Sequence, residues 1–130
     1  MNENYTKIRE FLFELEITIV SEDNDNGIFV IQKEDDGIMN MIVAVADPVL
    51  ILEQPLFDVK NESLDLYKTL LMKNRDIIHG AIVLDNEGKK VLYRDTLELK
   101  NIDINELEAS IESVSLLLSE FGQEIINFAK

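Results

Sequence analysis

Residues 63–99 read SLDLYKTLLMKNRDIIHGAIVLDNEGKKVLYRDTLEL, and this stretch decides how the rest of the chain is arranged. It predicts a helix over Glu62–Lys73, capped by Asn61, with Glu62 and Asp65 in its first turn and Lys73 and Arg75 at its end, as the helix dipole prefers. Leu64, Tyr67 and Leu71 form one stripe, and Leu66 and Leu70 form an adjacent one. Together with Met72 they exceed the arc of roughly 100° that a helix buries against its own core. The surplus calls for a second surface to cover it. Asn74 suits the left-handed position that closes a helix. Ile78–Leu84 then reads as a strand, Asp85-Asn86-Glu87-Gly88 as a turn, and Lys90–Leu97 as the returning antiparallel strand. Gly80 inside the first of these strands marks either close approach of another backbone or a bulge.

Upstream, Tyr5, Ile8, Phe11, Leu12 and Leu15 recur at spacings of three and four, an amphipathic helix over residues 3–15. The period changes to two at Ile17 and Ile19, and Asn24-Asp25-Asn26-Gly27 supplies a turn. Ile28–Lys33 is a second strand, Asp35-Asp36-Gly37 a second turn and Ile38–Ala46 a third strand, whose small and branched residues suggest burial on both faces near its end. Asp47-Pro48 interrupts the run, Val49–Leu52 reads as a short further strand, and Pro55 ends it. Downstream, Asp103 and Glu106 make a capping-box-like start for a long helix. Its seam is Ile104, Leu107, Ile111, Val114, Leu118, Phe121, Ile125 and Phe128, widened by Leu116 and Leu117. With five or six strands to cover, this helix is expected to be a lid on the sheet rather than a coiled-coil strand. Gly122 within it implies close packing. The fold class is α+β: a twisted antiparallel sheet in the order α-β-β-β-(β)-α-β-β-α, a single domain of 130 residues packed by the first and last helices.

Charge sharpens the picture. The chain carries 12 basic and 26 acidic residues, net −14, which opposes contacts to nucleic acid or an anionic membrane and favours neutral or basic partners. Residues 60–100 hold eight basic and seven acidic side chains, so both flanks together carry the remaining −15. The near-neutral middle is where two copies would repel least. The absence of Cys, of a signal peptide and of a long apolar run gives the expectation of a reducing, cytoplasmic compartment.

Chemistry is sparse. His79 is the only His, and without a second His or a Cys beside it a zinc site is not expected; it reads as structural. Glu22-Asp23-Asn24-Asp25-Asn26-Gly27 imitates a calcium loop, but Lys33 stands where the bidentate Glu belongs, so it reads as a turn. No phosphate loop, nucleophile elbow or basic aromatic stripe occurs. No catalytic, metal or cofactor site is therefore expected.

The order of elements, the segment from Leu70-Leu71 and Asn74 through Gly80 to Asp85 and Gly88, and the closing helix from Asp103 resemble the type III secretion chaperone-like fold, including the YbjN-type proteins. The short N-terminus and the extra strand after Ile17 are similar to the YbjN branch. The resemblance implies a two-fold homodimer built by the middle helix and the following strand, with Leu66, Tyr67, Leu70, Ile78, Gly80 and Ile82 at the interface. It also implies a non-enzymatic, chaperone-like protein- or peptide-binding role. A partner segment would then meet the first helix, where Ile8, Phe11 and Leu12 are candidate contacts, or the exposed sheet. A small-ligand or regulatory signalling module, with an enclosed pocket between the last helix and the sheet, is the alternative.

Overall fold

The computed structural model describes residues 2–130. Helix α1 spans Glu3–Glu14, and strands β1 (Thr18–Asp23), β2 (Ile28–Lys33), β3 (Ile38–Ala46) and β4 (Val49–Asp58) follow as a meander. Helix α2 (Leu64–Lys73) leads through a 3-10 turn at Asn74–Asp76 to β5 (Ala81–Leu84) and β6 (Lys90–Glu98), and α3 (Ile104–Ala129) closes the chain. The six strands form one antiparallel sheet in the order β1-β2-β3-β4-β6-β5. The α+β class and the order of elements expected from the sequence are those observed.

One face of the sheet makes the core. Phe29 pairs with Val43 and Val43 with Leu52, and all three are buried in one apolar cluster with Ile8 and Leu12 of α1, Leu66 and Leu70 of α2, and Leu107, Ile111 and Val114 of α3. The opposite row, Val30, Ile42, Glu53, Arg94 and Ala81, runs across five strands without a buried member. An ion pair between Arg94 and Glu53 crosses that open face. The helix α3 therefore acts as a lid, its apolar seam laid on the sheet and its Asp103 carboxylate accepting from the Glu106 amide at 2.8 Å.

Several local expectations are corrected. The cap of α2 is Ser63, whose hydroxyl accepts from the Leu66 amide at 3.0 Å, and not Asn61. Strand β4 continues through Pro55 to Asp58, because a register shift between Pro55 and Phe57 absorbs the missing amide hydrogen. The end of β3 is buried on one face only: Val43 and Val45 are buried, whereas Ala44 is half-buried and Ala46 exposed. Gly122 has no neighbour within 4 Å of where a Cβ would lie, so close packing does not explain it.

Asn74 keeps right-handed helical angles instead of the left-handed ones expected. Its carboxamide accepts from the Ile82 amide at 2.7 Å and donates to the Ile82 carbonyl at 3.1 Å. It thus pairs with β5 as another strand would, closing part of a free sheet edge. Ile78, His79 and Gly80 lie before β5, in the loop that leads into it, and not in a strand.

Candidate interaction surfaces

The middle helix divides its two apolar stripes between inside and outside. Leu66 and Leu70 turn inward, the latter only 7% exposed, while Leu64 and Leu71 of the other stripe are 82% and 70% exposed. Met72 is exposed as well. Between this helix and the edge strand lies an open groove of about 240 Å³ lined by Tyr67, Leu70, Leu71, Ile82, Val83 and Leu84. Three of the residues that the resemblance placed at a dimer interface, Tyr67, Leu70 and Ile82, meet in this groove, although Leu70 and Ile82 are largely committed to the chain's own core. Leu66 is buried beneath it. The outward contributors Leu64 and Leu71 were signalled only by the surplus of apolar residues on the helix, and Leu84 of β5 by no sequence feature; periodicity alone cannot tell which of two adjacent apolar stripes turns inward.

The remaining predicted contacts lie apart from this groove. Ile78 is 81% exposed on the loop before β5, beside α3. Gly80 has φ +79, and a Cβ there would stand 2.6 to 2.7 Å from the ring of Tyr93. The close approach inferred for this glycine is real, but it is made by a side chain and not by another backbone. Ile8 and Leu12 are fully buried beneath α1 and present nothing to a partner, and Phe11 is half-buried with Lys7 over its ring at 5.8 Å. At the other side of α1, the Tyr5 hydroxyl donates to Glu22 at 2.6 Å and Arg9 pairs with the same carboxylate at 3.3 Å. The hydrogen bond from Tyr5 is the main reason that the Glu22 carboxyl lies below its ordinary range.

Tyr93 anchors the loop that carries Ile78. Its hydroxyl donates to the Ser110 carbonyl at 2.7 Å and lies 3.3 Å from the His79 carbonyl, which also accepts from the Ser113 hydroxyl at 2.7 Å. Ser110 in turn donates to Asp95 at 2.7 Å. Burial pushes the Tyr93 hydroxyl from 10.0 up to about 12, with the neighbouring Ser110 and Ser113 hydroxyls opposing the shift and the Asp95 charge adding to it. Because the folded value is raised, this stability is complete below pH 10 and is lost as pH climbs toward 12, about 2 to 3 kcal/mol for two pH units. Tyr5, raised to about 12 by burial and by its bond to Glu22, contributes in the same direction. Alkaline titration followed by tyrosinate absorbance and circular dichroism should show unfolding in that window. Tyr93→Phe should be less stable at neutral pH by about 1 kcal/mol, from the lost hydrogen bond, yet lose less on going to alkaline pH. An unchanged alkaline slope in this variant would dissociate Tyr93 from the effect.

Comparison with known proteins bears on the whole chain. The family model CesT_Tir_1, of the type III chaperone family, matches residues 1–130. The chain belongs to the CesT_Tir_1 family. Among solved structures, this CesT_Tir_1 member is similar to YbjN from E. coli, with a TM-score of 0.69 and 15% identity over 92% of this chain and 91% of that one. It is similar also to the HopA1-SchA chaperone-effector complex, with a TM-score of 0.62 and 11% identity over 96% of this chain and 93% of that one. The Yersinia pestis type III secretion chaperone SycH, in complex with a stable fragment of YscM2, gives a TM-score of 0.58 and 19% identity over 96% and 98% of the two chains. At these identities the structural likeness shows the fold alone. No curated protein matches this family member. No helix among the described residues is long and apolar enough to cross a membrane.

Proposed function

We propose that this chain is a non-enzymatic, cytoplasmic homodimer that holds a segment of another protein in a chaperone-like manner. The observation that carries the proposal is the uncovered apolar surface of α2 and β5, with Leu64 and Leu71 exposed beside the open groove at Tyr67 and Val83. It lies within the near-neutral residues 60–100 of a chain with net charge −14. An apolar, locally neutral surface on a strongly acidic protein suits a second copy of the same chain, since pairing there removes apolar area from water without bringing the acidic flanks together. Membership of a chaperone family, and likeness in fold to the HopA1-SchA chaperone-effector complex, support the protein-binding part of the reading. The acidic flanks favour partners that are neutral or basic. The alternative of a small-ligand module gains nothing from the cavities, which are clefts open to solvent rather than an enclosed pocket between α3 and the sheet.

Light scattering should give twice the mass of a single chain. Immobilised protein should retain unfolded peptides that are neutral or basic in preference to acidic ones of equal apolar content. A monomer that retains no peptide of any composition would overturn the reading.

A further inference from the structure

A second cleft lies on the far side of the loop at Ile78, between that loop and α3. It has a volume of about 260 Å³ and shares no lining residue with the groove at α2 and β5. Its α3 wall runs from Ala109 to Phe121, a span of about 18 Å of helix. Leu116 and Phe121 supply apolar surface on that wall, and Ile78 supplies it from the loop. The lining carries three exposed carboxylates, Asp76, Glu112 and Glu120, and no Lys or Arg. None of the three forms a salt bridge among the described residues, although Glu112 also faces Lys33, with which it lines a small adjoining cleft. Lys73, paired with Glu124 at 2.7 Å and 4.2 Å over the Phe121 ring, stands at the Phe121 end.

The cleft is preformed. The bond from Ser113 to the His79 carbonyl ties the loop to α3, and Tyr93 holds the same carbonyl from the sheet side. An exposed Ile on a loop fixed at both faces loses little conformational freedom when covered, so its burial counts almost fully toward affinity.

We propose that this cleft receives an amphipathic helix of a partner protein, with apolar side chains at helical spacing and Lys or Arg on either flank. The proposal rests on the protein-binding reading above and names the chemistry of the partner at one site. Three turns of α3 give the length for a helix of comparable length, the floor takes its apolar stripe, and the exposed carboxylates on the rim, Asp76 and Glu120 above all, complement flanking cations. A segment with acidic flanks would set like charges against Asp76, Glu112 and Glu120.

The probe is a fluorescein-labelled synthetic peptide with Leu at i, i+3, i+4 and i+7 and flanking Lys, compared with the same peptide carrying Glu instead of Lys, by fluorescence anisotropy. The Lys peptide should bind at least tenfold more tightly than the Glu peptide. Ile78→Ser, and separately Glu112→Lys with Glu120→Lys, should each weaken it by tenfold or more; all three positions are exposed, so the variants fold. Reversal of Glu10 and Glu14 on α1, which changes net charge equally, should leave affinity within about twofold. Equal weakening by both reversals would reduce the effect to bulk charge and overturn the proposal. So would a dimer that dissociates in Ile78→Ser, since a second copy would then be the occupant. If the Lys peptide fails to bind or maps to another face while other peptides are still retained, the cleft assignment falls and the protein-binding reading stands. If no peptide binds anywhere, both fall.

Discussion

Leu70→Asp should unfold the chain, whereas Leu71→Asp, one residue along the same helix, should leave it folded and divide the proposed dimer. Leu70 is 7% exposed and packed in the core with Ile82 and Leu66, so the substitution leaves a cavity and places a carboxylate among apolar side chains. Loss of the leucine contacts alone costs about 2 to 5 kcal/mol, and an unpaired charge adds to it. That is of the order of the whole stability of a domain, roughly 5 to 15 kcal/mol. Leu71 is 70% exposed and lines the open groove of α2 and β5. An Asp there is solvated in the monomer and desolvated only in the dimer, so the cost falls on association. Thermal unfolding and light scattering separate the two effects. Leu71→Asp should show a helical circular dichroism spectrum like that of the parent and half its mass. A Leu71→Asp variant that keeps the parent mass would overturn the assignment of this surface, and a folded Leu70→Asp variant would contradict the observed burial.

Gly80→Ala should destabilise the chain by about 2 to 5 kcal/mol. Two costs combine. A residue with a Cβ is strained at φ +79, and the added atom would stand 2.6 Å from the Tyr93 ring. That ring cannot swing aside without breaking its hydroxyl bond to Ser110, because Tyr93 is fully buried. Gly88→Ala provides the comparison: its φ is +70, but nothing lies within 4 Å of the added atom, so only the backbone cost of about 1 kcal/mol applies. The difference between their urea midpoints at constant m isolates the steric contact. Equal losses in the two variants would show that Tyr93 gives way. A variant at Gly80 should also displace Ile78, since His79 and Gly80 hold that loop against β6 and α3.

The elements that were legible in the sequence share a physical basis. The seam of α3 is a local pattern whose period states the element type, the branched apolar runs of β2 and β3 mark strands by composition, and the turns at Gly27 and Gly37 use residues suited to their positive φ values of 70° and 76°. The charge minimum over residues 60–100 is a count and needs no fold to be seen. Elements were misjudged where a non-local partner outweighed a local preference. Pro55 reads as a strand end, yet β6 pairs with β4 on both sides of it and carries the strand across. Asn74 reads as a left-handed cap, yet the free backbone of Ile82 offers its amide two hydrogen bonds. Gly80 reads as a strand residue, yet the Tyr93 ring occupies the place of its side chain.

By itself the sequence determined the α+β class, the order of helices and strands, the acidic character with its neutral middle, and the excess of apolar residues on α2. Each follows from periodicity, turn chemistry or charge, which act over a few residues or over the whole chain without regard to geometry. Only the tertiary structure decided which stripe of α2 faces out, that Ile8 and Leu12 are core and not contact surface, and that the loop at Ile78 forms a cleft with α3. Those depend on which side chains from distant segments meet, and burial is a property of the packed pair rather than of either stretch alone.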